Sequence, residues 1–425
     1  MAEAEVDVVV QIGGDDVLAG RLWSRRRRGT ESATFSYATG YLARRDAYAL
    51  DPMLPLRAGP QQTPAGRAIF GAFSDCAPDR WGRRLIHRAE RQRGRREAGA
   101  QRNFGEVDYL LGVRDDLRQG ALRFRDPATG NYLADERVGV PYLVDLPTLL
   151  SAADRLERDA ESEAELQTLL RGGSSLGGAR PKAHVILEAA RVAIAKFPSP
   201  TNDEWDVMRW EAVALALAGE AGIWVPRSSL HIIDGKAVLI VDRFDRRAGQ
   251  RVGYASAMTM LEATDGDEGS YLDIAEVIER HCASTSEDLR QLWRRIAYSI
   301  LIRNTDDHLR NHGFLLTSTA GWSLSPAFDL NPDPRPGPTY LSTAIDYETT
   351  AARIDALMEV AEHFRMSGDE ARAALRDVSG ATSRWRAAAQ EVGLDRTAVE
   401  QMAPAFEHEQ AVVARAIVGL PAHRL

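Results

Sequence analysis

Asp306, Asn311 and Asp329 are the residues whose types and spacing could do chemistry together. They lie in Arg303-Asn304-Thr305-Asp306-Asp307-His308-Leu309-Arg310-Asn311-His312 and in Ser325-Pro326-Ala327-Phe328-Asp329-Leu330. A carboxylate can orient a hydroxyl and take its proton. An amide oxygen five residues on, and a second carboxylate eighteen residues beyond that, are hard oxygen donors suited to magnesium. The chemistry such a set could do is phosphoryl transfer, which needs an oriented hydroxyl and cations over the moving phosphate and little covalent help. Each acid alone reads as a helix cap or a surface residue. Their ordered combination is what carries information.

The Asp–Asn spacing is that of the catalytic loop of eukaryotic protein kinases, and Asp329 stands where a carboxylate could bind magnesium directly. A phosphoryl donor also needs cations and backbone N–H groups. Three lysines stand against fifty arginines in 425 residues, so a lysine here is expected where a compact ammonium is required. Lys182 and Lys196 follow the run Gly172-Gly173-Ser174-Ser175-Leu176-Gly177-Gly178, whose glycines and serines offer N–H groups to phosphate. The run is not a Walker A motif, because Ala179 occupies the lysine position, and it is not GxGxxG. Lys236 follows Asp234-Gly235 and reads as turn chemistry. Glu211 falls on a mostly apolar helical stripe, so its carboxylate should face inward and need a cation, for which Lys196 is the candidate.

The elements that must position these groups read as follows. Val6–Ile12, Val17–Trp23 and Thr34–Tyr41 have strand composition. Asp79 is placed to cap a basic helix reaching about Arg96, and Asn103 another reaching Gly112. A hairpin of His184–Leu187 and Arg191–Phe197 follows the glycine run. Thr201-Asn202-Asp203-Glu204 reads as a capping box opening a helix to Gly222. Long helical patterns dominate from about Tyr254: Leu272–Cys282, Glu287–Ile302, Arg353–Phe364 and Asp369–Val392.

Ser175-Leu176-Gly177-Gly178-Ala179-Arg180-Pro181-Lys182, Ala195-Lys196-Phe197-Pro198, Asp242-Arg243-Phe244-Asp245-Arg246, Asn304 to Asn311 and Ala327-Phe328-Asp329 together resemble the HipA family of serine/threonine kinases, toxin halves of bacterial toxin–antitoxin pairs. Phe73-Ser74-Asp75-Cys76-Ala77-Pro78-Asp79-Arg80-Trp81-Gly82-Arg83 resembles the family's N-terminal module. The resemblance implies an α+β, two-lobed protein-kinase-like fold with a β-rich N-terminal part and a mainly helical C-terminal lobe. It divides the chain into an N-terminal module (1–115), a kinase N-lobe with glycine loop and hinge (116–245) and a helical C-lobe (246–425). It implies ATP and Mg2+ as cofactors, with Asp306 as base and Asn311 and Asp329 as metal ligands. Lys196, supported by Glu211, would meet the phosphates together with Lys182, Ser174, Gly177 and Gly178. Asp242, Arg243 and Phe244 would form a hinge offering backbone hydrogen bonds to adenine. Ser175 matches the serine that is autophosphorylated in the family, which displaces the loop and ends activity. The partners implied are a protein substrate such as an aminoacyl-tRNA synthetase and a HipB-like helix-turn-helix antitoxin, with DNA met only through that complex.

Composition narrows the remaining classes. Cys76 and Cys282 form no CxxC pair, which excludes a cysteine-rich zinc site and fits a reducing cytoplasm. The acidic start, Met1-Ala2-Glu3-Ala4-Glu5, does not read as a signal peptide, and the apolar stretch Ala212–Val225 is too short to cross a bilayer, so no membrane association is expected. Net charge is −8, yet Arg80 to Arg102 carries nine arginines against two acids, a patch for nucleic acid or a solvated helix face. Two other functions compete with phosphoryl transfer. A metal-dependent hydrolase could use Asp306, Asp307, His308 and His312, the histidines four apart on one helix face. A catalytically inert binding module would leave the whole set unused.

Overall fold

The computed structural model describes residues 3–27, 29–97, 103–134, 143–173, 178–318 and 320–420. The chain forms two compact units, one of Met1–Asn202 with Asp242–Glu262, the other of Asp203–Val241 with Ala263–Leu425. The fold is α+β, with extended sheet early in the chain and helices late in it.

In the first unit, strands β1 (Glu3–Ile12), β2 (Asp15–Arg27), β3 (Thr30–Tyr37), β4 (Gln61–Gln62) and β5 (Leu122–Arg125) form an antiparallel sheet in the order β4-β3-β2-β1-β5. Alternation builds it: Val6, Val8 and Val10 of β1 and Leu22 of β2 turn to one face and pack with Phe35, Phe70, Phe73 and Phe124. The first two strands are longer than their apolar runs, because the charged ends Asp15–Asp16 and Arg25–Arg27 keep the ladder while facing solvent.

Helix Arg80–Glu97 begins where Asp79 was expected to cap it: Asp79 Oδ1 accepts from Gly82 N at 2.7 Å. Four of its arginines are engaged within the unit. Arg83 meets Glu106, Arg84 meets Glu157, Arg88 meets Asp159 and Arg93 meets Glu90. A bare cationic face is therefore not what this helix presents over those residues. Hairpin strands β6 (Lys182–Ile186) and β7 (Val192–Lys196) follow, in a register that sets Lys182 opposite Lys196.

In the second unit, helix Val207–Glu220 starts later than the sequence pattern suggests. Its cap is Asp206, whose side chain accepts from Arg209 N at 3.0 Å. Thr201, the expected cap, donates to the buried Glu157 at 3.0 Å, and Ser199 donates to the same carboxylate at 2.6 Å. Those hydroxyls donate to the buried carboxylate, and the helix starts at the later acid, Asp206. Strand β8 (Ser228–Ile233) pairs with β9 (Lys236–Asp242) through the turn that Lys236 was expected to follow. Helices Tyr271–His281 and Thr285–Leu301 match the sequence patterns within a residue or two, and the second is buried on nearly every side. The expected helix Asp369–Val392 is two helices, Gly368–Thr382 and Trp385–Glu391. Arg353–Phe364 is likewise a short helix, Ile354–Glu359, followed by a turn of 3-10 helix.

Candidate functional site

Helix Thr285–Leu301 delivers the chain into the Asp306 loop. Past its end, Arg303 adopts a left-handed backbone, φ +53°, which reverses the chain and stops further helix. Asn304 N then donates back to Ser299 O at 2.8 Å. Asn304 is 1% exposed, and its side-chain oxygen accepts from Asn331 N at 3.2 Å. That bond ties the residue two before Asp306 to the residue two after Asp329, so separate chain segments are held at one place.

Asp306 is exposed. Asn311 Nδ2 donates to the Asp306 carbonyl oxygen at 2.9 Å. The five-residue spacing thus closes a small loop with one of the two N–H donors of the Asn311 amide. Asp329 has φ +55°, a left-handed conformation on the order of 1–3 kcal/mol above the ordinary regions for a non-glycine residue. Such backbone persists where surrounding structure fixes it, and here it sits at a carboxylate singled out by its chemistry.

Asp307, adjacent to the exposed acid, is turned into the interior. Tyr271 Oη donates to its Oδ2 at 2.6 Å and Ser299 Oγ at 3.0 Å. His312 Nε2 lies 3.1 Å from Oδ1, an electrostatic contact without hydrogen-bond alignment. Burial works against the charge of Asp307, but His312 and the donated hydrogen bonds outweigh it and hold the carboxyl below its ordinary range. Burial pushes the Tyr271 hydroxyl well up, so it stays a donor.

The premise of the hydrolase reading does not hold. His308 and His312 flank a single 3-10 turn, Leu309–Asn311, and both have extended backbone, so they share no helix face. Asp307 and His312 are buried while Asp306 is exposed. Among the described residues no group of three His, Cys, Asp or Glu side chains is placed to hold a metal ion.

In the second unit Glu211 is 2% exposed, on the buried side of helix Val207–Glu220, as its stripe requires. Lys196 belongs to the first unit, at the end of β7. Ser174, Ser175 and Gly177 fall outside the described residues. Gly178 has φ +113°, a backbone that favours glycine, and a side chain there would begin 3.0 Å from Lys182 Nζ. Lys182 Nζ bonds Asp79 Oδ2 at 2.8 Å, both side chains nearly sealed from solvent.

Of the residues expected to form a hinge, Asp242 is paired with Arg191, and the Phe244 ring lies 6.3 Å from that of Tyr254. Arg243 is committed at both ends. Its N–H donates to Val192 O at 3.2 Å, and its guanidinium donates to Asp245, to Leu117 O and to Arg118 O. Asp245 in turn accepts from Arg246 Nη1 at 2.9 Å and from Gly120 N at 2.8 Å. Burial disfavours its charge, yet Arg243 and Arg246 overcome this and hold the Asp245 carboxyl well below its ordinary range. The Arg243–Asp245–Arg246 cluster was not legible as a unit, since neighbouring charges usually indicate a solvated turn. A cavity of about 420 Å3 elsewhere in the second unit, lined by Glu220, Arg294, Asp377 and Arg384 among others, touches none of these candidates.

The HipA-like C-terminal domain matches residues 174–402, and the HipA N-terminal domain matches residues 10–106. The chain belongs to the HipA-like family. A "Putative kinase" of Haemophilus influenzae is 25% identical over 178 residues, 37% of this HipA-like chain and about half (52%) of the length of that relative. "Putative kinase Y4mE" of Sinorhizobium fredii is 24% identical over 322 residues, 70% of this chain and 71% of its own. The Shewanella oneidensis HipA, solved with HipB and operator DNA, superposes with a TM-score of 0.68 at 15% identity, covering 98% of each chain. That likeness establishes the shared HipA fold across both family segments. No helix among the described residues is long and apolar enough to cross a membrane.

Proposed function

We propose that this chain is an ATP- and magnesium-dependent protein serine/threonine kinase of the HipA type. The observation that supports this reading is the bond from Asn311 Nδ2 to the Asp306 carbonyl, which ties Asn311 to the backbone of the exposed Asp306 within one loop. Asp306 orients the substrate hydroxyl and accepts its proton. Asn311 Oδ1 and the Asp329 carboxylate are the oxygen donors for magnesium, which when bound neutralises charge on the phosphates. In this reading Lys196 meets the phosphates, Ser174, Gly177, Gly178 and Lys182 are further phosphate contacts, and Glu211 is a supporting carboxylate. Asp242 and Phe244 offer backbone to the adenine, while Arg243 braces the hinge from within.

The kinase names of the two relatives support the reaction class. The HipB and operator DNA bound to the Shewanella protein support a HipB-like antitoxin as partner, with DNA reached through it. Ser175 is the autophosphorylation site in this reading, since adding nearly two negative charges to a phosphate-holding loop should expel it. The substrate is a protein, an aminoacyl-tRNA synthetase being the member of that class to test first.

Labelled ATP decides the matter. Magnesium-dependent transfer to protein, abolished by Asp306→Ala and by Lys196→Ala, is expected. Transfer indifferent to either substitution overturns the assignment. Phosphopeptide mapping should place self-incorporated label on Ser175 and find it lost in Ser175→Ala.

A further inference from the structure

We propose that Ser342 and Thr343 clamp the backbone on either side of Asp306 and act as positioning residues for its carboxylate; this rests on the kinase reading above. Three successive carbonyls of the loop each accept a side-chain hydrogen bond. Thr305 O accepts from Ser342 Oγ at 2.8 Å, and from Ser342 N at 3.0 Å. Asp306 O accepts from Asn311 Nδ2 at 2.9 Å. Asp307 O accepts from Thr343 Oγ1 at 2.6 Å. The two outer donors are adjacent in sequence and lie more than thirty residues from the loop they grip.

The loop needs such help. It follows a left-handed residue and belongs to neither helix nor strand before the 3-10 turn at Leu309, so its carbonyls have no ladder to join. An exposed carboxylate on an unheld peptide samples many directions. With both flanking peptide planes fixed, only the two side-chain torsions of Asp306 remain free.

The strap that carries the donors is itself anchored. Leu341 N bonds Thr350 O at 2.8 Å and Ala352 N bonds Thr339 O at 3.0 Å, closing a loop on itself. Ala344 N bonds Gly269 O at 2.9 Å, and Tyr271 N bonds Ala344 O at 2.8 Å. Tyr271 then reaches the Asp307 carboxylate through its hydroxyl. Thr343 is fully buried, whereas Ser342 is exposed, so the two bonds can be removed with different structural risk.

The test uses the full chain with Ser342→Ala, Thr343→Val and the double variant, and with Ser342→Thr and Thr343→Ser as conservative controls. Two readouts are taken: amide hydrogen exchange over residues 303–312 at constant global unfolding midpoint, and steady-state phosphoryl transfer. Expected are exchange about tenfold faster in the loop and kcat lower by about 10- to 100-fold in the double variant, with KM for ATP within about twofold. Both hydroxyl-retaining controls should restore kcat. If Thr343→Val fails to fold, Ser342→Ala against Ser342→Thr gives the same comparison at an exposed position. Unchanged exchange overturns the clamp whatever the activity. Faster exchange with wild-type kcat overturns the positioning role. A wild-type chain that transfers no phosphate overturns the kinase reading instead, and the exchange arm still decides whether the clamp exists.

Discussion

Asp245→Asn should cost the protein more than any surface substitution, although it changes one oxygen to one nitrogen. The carboxylate receives four hydrogen bonds. Arg243 Nε meets Oδ1 at 2.8 Å, while Arg243 Nη2 at 2.6 Å, Arg246 Nη1 at 2.9 Å and Gly120 N at 2.8 Å all converge on Oδ2. The best orientation of an asparagine keeps its oxygen with those three donors and sets its NH2 against Arg243 Nε, donor against donor. One bond is lost, and two buried guanidinium groups lose their counter-ion. Removing one partner of a buried ion pair costs about 3–5 kcal/mol. Because Arg243 keeps its bonds to Leu117 O and Arg118 O, the lower end applies, about 3 kcal/mol. For a unit of this size that lowers the unfolding midpoint by about 6–12 °C. The folded Asp245 carboxyl sits far below its unfolded value, so its contribution is complete above about pH 4 and lost only in stronger acid. The gap to wild type should therefore be flat from pH 5 to 8. Calorimetry and urea titration of the full chain measure it, with Arg155→Gln, which breaks an exposed pair with Glu165, as the control expected to move the midpoint by no more than about 1–2 °C. An Asp245→Asn midpoint no lower than that of the control refutes the reasoning.

Tyr271→Phe keeps the buried ring and deletes one hydrogen bond to the Asp307 carboxylate, so urea unfolding should show a loss of about 1.5–3 kcal/mol. Asp51 is buried and its carboxyl is raised to about 6, mainly by burial, with the bonds from Ala72 and Met53 N–H acting against the rise. Since that folded value exceeds the unfolded one, wild type should lose about 2–3 kcal/mol relative to Asp51→Asn between pH 4 and 6, and nothing more above; urea midpoints across that range check it. Asp329→Asn should lower magnesium-dependent phosphoryl transfer by orders of magnitude while the unfolding midpoint holds, because asparagine tolerates the left-handed backbone that Asp329 adopts. Near-normal turnover would remove Asp329 from the metal site.

Glu211 shows how far the sequence reaches: three residues after Met208 and four before Leu215, its helical phase dictated burial, and the side chain is 2% exposed. Asp79 was equally legible, since a short acid before a basic helix can be read as its cap. What stayed hidden depends on tertiary structure. Thr201 looks like a helix cap until Glu157, forty-four residues earlier, is present to accept its hydroxyl. The histidines at 308 and 312 share a helix face only if the backbone is helical, and Arg303 ends the helix first. Ser342 and Thr343 carry no local signal, since their partners are carbonyls far along the chain.

Asp79 links two events that would otherwise be independent. One of its oxygens holds the start of the arginine helix and the other holds Lys182. In the proposed kinase reading, a phosphate meeting that ammonium would arrive as a rival to a carboxylate already in place. In that reading, substitutions at the helix start that shift Asp79 would be read out as altered nucleotide binding.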